Sequence, residues 1–359
     1  MTQPFRSTLG GLSPFDHGLT LEAVRRLSGR DDVLNLAGNE NAVGASPRVA
    51  EAVRAAAEEA WRYPDPACTA LGAALGEQLG IAPDRISFGT GSEALLATIA
   101  RAALDPGDRV VLSSPTFPIY AALAVAAGAV VVDVPRGADH NLDLDAMAEA
   151  LSQPAKIVFL CNPNNPTGTP IPSADVTAIA RMAGSGCLVV LDEAYHEFHA
   201  LEDPHGSLCA LDASDAPWFV LRTFSKAYAL GGYRVGYSVA RSAALTGMLD
   251  RIRPQFGVGV LSERAALAAL SDRVHLESSV AEIRAAREAL RADLTALGLA
   301  VAPSATNFLY IAAPKGTADH LVSHGILVRP MPDGRMRLTV CRLRDVARVV
   351  EGFRSALDQ

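Results

Sequence analysis

Lys226 lies in a segment whose residue types suit covalent chemistry. An apolar run at 218–221 predicts a strand that ends before it, and a second run at 235–240 predicts a strand that follows. A lysine that is partly desolvated beside Arg234 loses part of its preference for the charged form, so its amine becomes a usable nucleophile. An exposed loop lysine beside a surface arginine explains this segment alone equally well. Nearby donors that suit a phosphate are Thr223, Ser225 and Arg234.

A glycine-rich loop at 89–94 lies between a predicted strand and a predicted helix. Glycines allow close approach of the backbone, and the free N–H groups at a helix start form an anion site. The loop matches neither the Walker pattern nor GxGxxG, and a simple helix entry capped by Ser92 explains it about as well. Taken alone, it is therefore a phosphate cradle of moderate specificity.

Three further loops follow predicted strands and offer groups that suit a planar ring. Phe117 could stack on such a ring, although most aromatic residues at this spacing belong to a core. Asn165, in the Asn-Pro-Asn-Asn-Pro-Thr-Gly run at 162–168, could donate to a ring oxygen. Asp192 could pair with a protonated ring nitrogen, and the phenol of Tyr195 could reach another ring substituent. Together with an aldehyde for the lysine and a phosphate, these groups indicate pyridoxal 5′-phosphate (PLP).

A metal site is an alternative for the stretch after Asp192, because it is rich in carboxylates and imidazoles. No HExxH-type spacing is present, and the surrounding loops suit an organic cofactor better, so we expect no metal. His196 and His199 are instead expected to be solvated loop or interface residues. The carboxylates and imidazoles in this stretch after Asp192 belong to Glu193, His196, Glu197 and His199.

The elements that position these loops alternate between strands and helices, which predicts parallel strands joined by crossover helices. The strand segments are apolar throughout, as expected for strands that are covered on both faces. Strands are predicted at 86–88, 110–112, 129–134, 157–160, 188–191, 218–221 and 235–240, and helices at 92–104, 118–127, 144–151 and 173–183.

The two ends of the chain have a different character. Residues 1–40 predict an irregular arm with a helical patch at 19–27, and such an arm needs a second lobe or a partner subunit to lie on. Ser46 and Pro47 predict the cap and first turn of a helix that runs to about residue 61. Beyond residue 254 the pattern predicts a smaller α+β lobe, with helices at 262–270, 274–297, 317–324 and up to 357, and strands at 307–311, 327–328 and 336–340.

Composition limits the class of protein. The chain has 359 residues, of which 49% are hydrophobic, enough for a large core. A formal charge of −7 without a run of Lys or Arg argues against nucleic acid as a partner. Five scattered cysteines without CxxC spacing indicate free thiols in a reducing compartment. With no apolar signal region and no run of membrane-spanning length, we expect a cytoplasmic protein without a membrane partner.

The motifs together resemble the fold-type I, class I/II PLP-dependent aminotransferases, most closely the histidinol-phosphate aminotransferase subfamily. The resemblance covers about 36–340. It is carried by Asn39-Glu40-Asn41, Tyr63-Pro64-Asp65-Pro66, the Gly-Thr-Gly-Ser-Glu loop, Pro115-Thr116-Phe117, the 162–168 run, Asp192-Glu193-Ala194-Tyr195, Ser225-Lys226 with Arg234, Asn307-Phe308 and Arg337-Leu338-Thr339-Val340.

The resemblance implies an α/β fold with a large PLP-binding domain and a smaller α+β domain. The large domain, at 41–254, would hold a mostly parallel seven-stranded sheet flanked by helices, and the small domain would span 255–359. Residues 1–40 would form an arm that joins the small domain or the dimer partner. The resemblance also implies a homodimer with shared active sites, in which Tyr63 reaches the phosphate of the neighbouring subunit's cofactor.

Roles for the site residues follow from the same resemblance. Lys226 would form a Schiff base with the cofactor and act as the base, and Asp192 would pair with the pyridine nitrogen. Tyr195 and Asn165 would donate to the ring oxygen, while Phe117 stacks on the ring. The phosphate would be held by Gly91, Ser92, Glu93 through its backbone, Thr223, Ser225 and Arg234. The substrate contacts would be Arg337, which grips a carboxylate, Asn39 and Arg329, with Arg335 and Arg342 as rival anion-binding residues.

The predicted reaction moves an amino group from an amino acid or amino-phosphate donor to a 2-oxo acid, with 2-oxoglutarate and glutamate as the expected acceptor pair. The substrate stays open, because the chain departs from the subfamily at Phe117, 253–258, the short 329–337 segment and Cys341-Arg342. A transaminase for an aromatic or specialised-metabolite amino acid would share every cofactor residue. Another PLP reaction, as in a decarboxylase, lyase or oxidase, would share them too.

Two alternatives come from other classes of protein. An aminotransferase-like transcription regulator would need an N-terminal DNA-binding domain, and residues 1–40 have no basic helix-turn-helix pattern. A cofactor-free binding protein would leave the combination of Lys226, Asp192 and Tyr195 without a purpose. Both alternatives are therefore disfavoured.

Overall fold

The structure, a computed structural model, describes residues 4–14 and 16–358. Within these ranges, no helix combines the length and the apolar character needed to cross a membrane. The strands, in chain order, are β1 Leu34–Asn35, β2 Ile86–Thr90, β3 Arg109–Leu112, β4 Val130–Asp133, β5 Ile157–Cys161, β6 Leu188–Asp192, β7 Trp218–Thr223, β8 Val235–Ala240, β9 Ala300–Val301, β10 Phe308–Ala312, β11 Ile326–Leu327, β12 Arg329–Pro330 and β13 Met336–Thr339.

Helices cover the sheets and connect the strands. The first seven are α1 Leu21–Ser28, α2 Pro47–Ala56, α3 Thr69–Leu79, α4 Ser92–Ala103, α5 Ile119–Ala127, α6 Leu144–Leu151 and α7 Ser173–Ala183. The rest are α8 His196–Ala200, α9 Gly206–Asp212, α10 Ala243–Asp250, α11 Val260–Ser271, α12 Arg273–Ala296, α13 Thr317–Ser323 and α14 Val346–Leu357.

A seven-stranded sheet forms the centre of the fold, with the strand order β2-β8-β7-β6-β5-β3-β4. Its strands pair in parallel except β8, which runs antiparallel to both of its neighbours. The link from β7 to β8 spans only residues 224–234, which is too short for the crossover helix that a parallel pair needs. The predicted α/β fold with a mostly parallel seven-stranded sheet is confirmed.

Apolar residues fill the space on both faces of this sheet and form two large clusters. Strands β5, β6 and β7 lie in the middle and are buried along most of their length. The edge strand β4 is partly open to solvent, and Val130 is 53% exposed. The prediction that every strand is covered on both faces is therefore wrong for β4, which is the last strand in the order of the described sheet.

The C-terminal part of the chain has its own antiparallel sheet, with the order β12-β13-β10-β9. Strand β1 pairs in parallel with β11, and two further backbone hydrogen bonds extend this contact, from Leu36 N to Leu327 O and from Thr339 N to Leu36 O, each 2.8 Å. Residues 34–36 therefore lie on the C-terminal part of the chain. This contact carries the next residues, 37–41, towards the edge of the large sheet.

The predicted elements between residues 86 and 240 agree with the observed ones to within two residues at each end. Ser46 accepts a hydrogen bond from Arg48 N as the predicted cap, and Pro47 begins α2. The helix ends at Ala56 rather than near residue 61, because its last turn tightens into a 3₁₀ helix, Ala57–Glu59. Helices α8, α9 and α10 and the two-residue strands β9 and β12 have no counterpart in the prediction.

Candidate active site

The loops that carry the predicted cofactor-binding residues meet at one edge of the large sheet. Asp192 and Thr223 are the last residues of the parallel strands β6 and β7. Because β8 runs antiparallel, its first residue, Val235, lies at the same edge and pairs with Thr90 at the end of β2. The carboxyl ends of parallel strands are where open α/β sheets bind ligands. The predicted clustering of these loops therefore agrees with the structure.

Lys226 lies between the sheet edge and the segment that follows β1. Its Nζ donates to the carbonyl oxygen of Gly38 at 3.2 Å and lies 5.9 Å from the ring centroid of Tyr195. Burial lowers the pKa of the amine to about 8, and the nearby cations Arg337 and Arg234 act in the same direction. The amine opens into a cavity of about 390 Å³ lined by Gly38, Glu40, Asn41, Gly44, Ser225, Lys226, Ala229, Gly231, Gly232 and Arg234.

Asp192 is a buried carboxylate with two hydrogen-bond donors. The hydroxyl of Tyr120 donates to Oδ2 at 2.8 Å, and Ala194 N donates to Oδ1 at 3.1 Å. Burial raises the pKa of Asp192 to about 6. The charged form of such a group is stabilised when a cation binds beside it. Tyr120 is not among the predicted site residues, but a buried phenol needs a hydrogen-bond partner, and that requirement was the available signal.

Hydroxyls, a guanidinium and a helix start converge on the side of the site nearest β2 and β8. Thr223 Oγ1 donates to Ser225 Oγ at 3.0 Å, and Arg234 Nη1 donates to the same oxygen at 3.3 Å. Gly91 precedes α4 with φ +82°, and a Cβ there would clash with Arg234 Nη2. Ser92 is the first residue of α4 and makes no capping hydrogen bond, so the alternative that it caps the helix is wrong. This arrangement can hold a phosphate.

Tyr195 and Asn39 form the floor next to Lys226. Asn39 Nδ2 donates to the hydroxyl of Tyr195 at 2.8 Å, and burial raises the pKa of that phenol to about 12. The backbone N–H of Asn39 donates to Thr339 Oγ1 at 2.9 Å, and Asn307 Nδ2 donates to the Asn39 carbonyl at 3.0 Å. Asn307 was part of the sequence resemblance but not of the predicted site. It ties residue 39 to the small sheet.

Arg337 reaches the site from strand β13. Its Nη1 donates to Asn165 Oδ1 at 2.8 Å and its Nη2 to the carbonyl of Ala37 at 2.7 Å. Its Nε is buried without a hydrogen-bond partner, and burial lowers the pKa of the guanidinium. Within the described residues, Arg337 forms no ion pair with a carboxylate. A partly buried guanidinium without a counterion is suited to an anionic ligand.

The other predicted substrate and anion residues lie around Arg337. Arg329 is its cross-strand partner on β12 and donates to the carbonyl of Asp16 at 2.6 Å. Arg335 lies 3.1 Å from Asp333, and Arg342 makes a two-bond contact with Glu282 at 2.6 and 3.1 Å. Both of the last two arginines are thus held in ion pairs outside the Lys226 cavity.

Two predicted aromatic residues lie at the margins of the site. Phe117 is half-buried and contacts Tyr120 edge to face, with 5.8 Å between ring centroids. Tyr63 is 82% exposed and stacks on Phe256 at 4.7 Å. Tyr63 does not line the Lys226 cavity of its own chain.

The carboxylates and imidazoles after Asp192 lie on the other side of the sheet edge. Glu193 accepts from Arg222 at 2.8 Å, and both side chains are buried. Side chains alternate between faces along a strand, so these two point away from their neighbours Asp192 and Thr223. His196 is buried beside this ion pair, and burial lowers its pKa to about 4. The prediction of a solvated His196 is therefore wrong, whereas His199 is exposed.

The comparisons with known proteins agree on one family. The sequence model of the family described as aminotransferase class I and II matches residues 31–353. Histidinol-phosphate aminotransferase 2 of Caulobacter vibrioides is 42% identical over 359 residues, covering 99% of this chain and 94% of that protein. Histidinol-phosphate aminotransferase of Symbiobacterium thermophilum is 39% identical over 363 residues, covering 99% of each chain.

A solved structure gives the same result for the fold. The crystal structure of histidinol-phosphate aminotransferase from Sinorhizobium meliloti in complex with pyridoxal-5′-phosphate superposes with a TM-score of 0.88 and 31% identity. The match covers 100% of this chain and 98% of that one. The sequence and the fold, with the lysine and the buried carboxylate at one sheet edge, lead to a single conclusion: this chain belongs to the class I and II aminotransferase family.

Proposed function

We propose that this aminotransferase binds PLP through Lys226 and moves an amino group from histidinol phosphate to a 2-oxo acid, with 2-oxoglutarate as the acceptor. One observation supports the cofactor assignment. A half-buried amine, Lys226, and a buried carboxylate, Asp192, lie beside the phosphate-binding group of Ser225 and Arg234. The donor is supported by the names of the relatives, which are histidinol-phosphate aminotransferases over nearly the whole length of this chain.

The residues present fit PLP at each of its polar groups. Asp192 is a carboxylate whose burial favours the uncharged form, so a protonated ring nitrogen is the partner that would keep it ionised. The start of α4 and the hydroxyls of Thr223 and Ser225 suit the phosphate, together with Arg234. Tyr195 and Asn165 would supply hydrogen bonds to the ring oxygen, and Phe117 would stack on the ring.

When bound, PLP supplies an electron sink for the bond that breaks at the substrate α-carbon. The pKa of Lys226 is lowered to about 8, so a larger fraction of its Nζ is the free base near neutral pH than in an ordinary lysine, and that form can take up the proton from this carbon. Tyr195 is held in place by the Asn39 amide at 2.8 Å, so its hydroxyl is oriented before any ligand arrives. Residues 37–41, which contact Lys226, Tyr195 and Arg337, cover the site from the small-sheet side.

Arg337, paired across the strands with Arg329, provides positive charge for the anionic group of the donor or acceptor. We expect the substitution Arg337→Ala to raise KM for a carboxylate acceptor by about 100-fold, because a charge-assisted fork would be lost. Steady-state kinetics with 2-oxoglutarate would measure this effect. Arg335→Ala is the matched control, since it removes an equal charge that is already paired with Asp333. An unchanged KM in the Arg337 variant would move the anion-binding role to Arg329.

We further propose that the active form is a homodimer with shared sites. The exposed aromatic residues Trp61, Tyr63 and Phe256 support this, since Tyr63 is 82% and Trp61 78% exposed although both are large and apolar. In this proposal Tyr63 reaches the phosphate of the partner's cofactor. The chain would divide into an arm at 1–40, a large domain at 41–254 and a small domain at 255–359.

We expect Tyr63→Ala to weaken cofactor binding by about 10- to 150-fold, since one hydrogen bond to a charged group contributes about 1.5 to 3 kcal/mol. Equilibrium dialysis of PLP against the variant would measure the loss, and sedimentation velocity would report the oligomeric state. Tyr63→Phe separates the hydroxyl from the ring, because the stacking on Phe256 is kept. A monomer with full activity would contradict the shared site.

A panel of single donors tests the proposed donor. PLP-loaded protein is mixed with histidinol phosphate, phenylalanine, glutamate or lysine, and the visible absorbance of the bound cofactor is followed over time. A fast change with histidinol phosphate is the expected result. A change with the other amino acids, but not with that one, would assign a different donor. No change with any donor would indicate another PLP reaction.

A further inference from the structure

Glu40 is a charged residue in the Lys226 cavity to which the mechanism above gives no role. Its neighbours in the chain are fully engaged: Asn39 contacts Tyr195, and Asn41 Nδ2 donates to Ala227 O at 2.9 Å and to Ser279 Oγ at 2.8 Å. The backbone of Glu40 is also held, because its carbonyl accepts from Asn307 Nδ2 at 3.3 Å. The position of this residue is therefore well defined even though its side chain is exposed.

The carboxylate of Glu40 is folded back over Gly38. A Cβ added to Gly38 would lie 2.5 Å from Glu40 Oε2, so a larger residue at position 38 would displace the Glu40 carboxylate from this position. The carbonyl of the same glycine accepts the hydrogen bond from Lys226 Nζ. The carboxylate thus lines the cavity beside the glycine whose carbonyl holds Lys226 Nζ.

Within residues 4–14 and 16–358, the Glu40 carboxylate has no hydrogen-bond donor and no ion-pair partner within contact distance. Its negative charge nevertheless acts on the site. It raises the pKa values of Lys226 and Arg337 and so opposes the lowering that burial causes. The other charged groups that line this cavity, Lys226 and Arg234, are cationic and suited to anions. A single carboxylate in such a site is suited to a positive or N–H-bearing group of a ligand.

We propose that Glu40 is a specificity-determining residue that accepts a hydrogen bond from a basic ring, such as an imidazole, on the side chain of the amino donor. This inference deepens the proposed function and rests on it. Every amino donor brings an amine to Lys226, so an interaction with the amine alone would not separate one donor from another. An interaction with the ring favours donors that carry a nitrogen base over donors with a hydrocarbon ring.

The test uses two amines that differ in their ring. Histamine and phenethylamine share the ethylamine group, whereas one carries an imidazole and the other a phenyl ring. The dissociation constant of each is measured by titrating PLP-loaded protein and following its absorbance and fluorescence. We expect the wild-type protein to prefer histamine, and Glu40→Gln to lower this preference about tenfold, as expected for the loss of one charge-assisted hydrogen bond.

Glu51→Gln is the matched control, because it removes the same charge from an exposed position on α2. It should leave the preference unchanged. An unchanged preference for histamine in Glu40→Gln would overturn the inference. An equal loss of affinity for both amines would overturn it too, because the carboxylate would then contact the amine group that both ligands share. Glu40→Asp adds a second variant, which keeps the charge and should retain part of the preference.

The same measurements separate this inference from the proposed donor. If the wild-type protein reacts with histidinol phosphate and Glu40→Gln keeps the preference for histamine, the role of Glu40 alone is wrong. If the preference depends on Glu40 and histidinol phosphate does not react, the proposed donor is wrong and the donor is another amine with a basic ring.

Discussion

Replacement of Lys226 by alanine is expected to lower turnover by about 10⁴-fold or more, because one side chain supplies both the nucleophile and the base. The structure gives no substitute within the described residues: the other groups that line the cavity near Nζ are a carboxylate, a guanidinium, an amide and a hydroxyl. The variant should still fold, since within the described residues the side chain of Lys226 makes a single hydrogen bond, to Gly38 O. Single-turnover kinetics with the best donor of the panel would measure the loss.

Two controls make this result specific. Lys315→Ala removes an exposed lysine from another part of the chain and should leave turnover unchanged. Added methylamine should restore part of the activity of Lys226→Ala, because a free amine can replace the missing base. Full turnover by the variant without added amine would exclude Lys226 as the base and as the attachment point.

The same lysine illustrates what the sequence could predict. Lys226, Asp192 and Thr223 all follow or end strong apolar strand segments, so parallel pairing alone places them at one edge of the sheet. Their neighbours in the cradle, Ser225 and Arg234, lie in the short link to the next strand. Local pattern and strand topology were sufficient for this half of the site.

The half of the site that faces the small sheet depends on contacts between distant parts of the chain. Arg337 donates to Asn165 and to Ala37, which are 172 and 300 residues away. The pairing of β1 with β11 brings these segments together, and each strand has only two residues. A strand was predicted at 327–328, but two residues give no signal for its partner strand or for the register of the pair. The contacts of Asn39 and Asn307 could therefore not be predicted from the sequence.

Strand faces explain the error at His196. Asp192 and Glu193 are adjacent in sequence, and both could be assigned to one cluster of acidic and basic residues. One points to Tyr120 at 2.8 Å, and the other pairs with Arg222 at 2.8 Å on the opposite face. Only the exact end of β6 decides which residue belongs to which face.

Asp192→Asn is expected to have opposite effects on activity and on stability. The amide has no negative charge to keep a ring nitrogen protonated, so turnover should fall by about 100-fold or more. The expected effect on stability comes from the burial of Asp192. Its side chain is 3% exposed, and burial raises its pKa from an ordinary value of 3.8 to about 6. A shift of that size corresponds to about 3 kcal/mol between the two protonation states.

The sign follows from the direction of the shift. The folded protein binds this proton more tightly than the unfolded chain, so ionisation of Asp192 costs folding free energy above pH 6, and the cost disappears as the pH falls towards 4. An asparagine is neutral at every pH. The cofactor-free variant should therefore be more stable than the cofactor-free wild type by about 1 to 3 kcal/mol near pH 8, and equally stable near pH 4.

Urea unfolding of both proteins, with and without PLP, would measure this difference between pH 4 and pH 8. Asn can retain the contact with Tyr120, since a phenol can donate to the amide oxygen or accept from its N–H₂. With PLP bound, the order should reverse, because the carboxylate then has its cation. A variant that is less stable than wild type at pH 8 without cofactor would mean that the negative charge of Asp192 is already compensated by the protein, and that its burial does not prepare the site for a cationic ring.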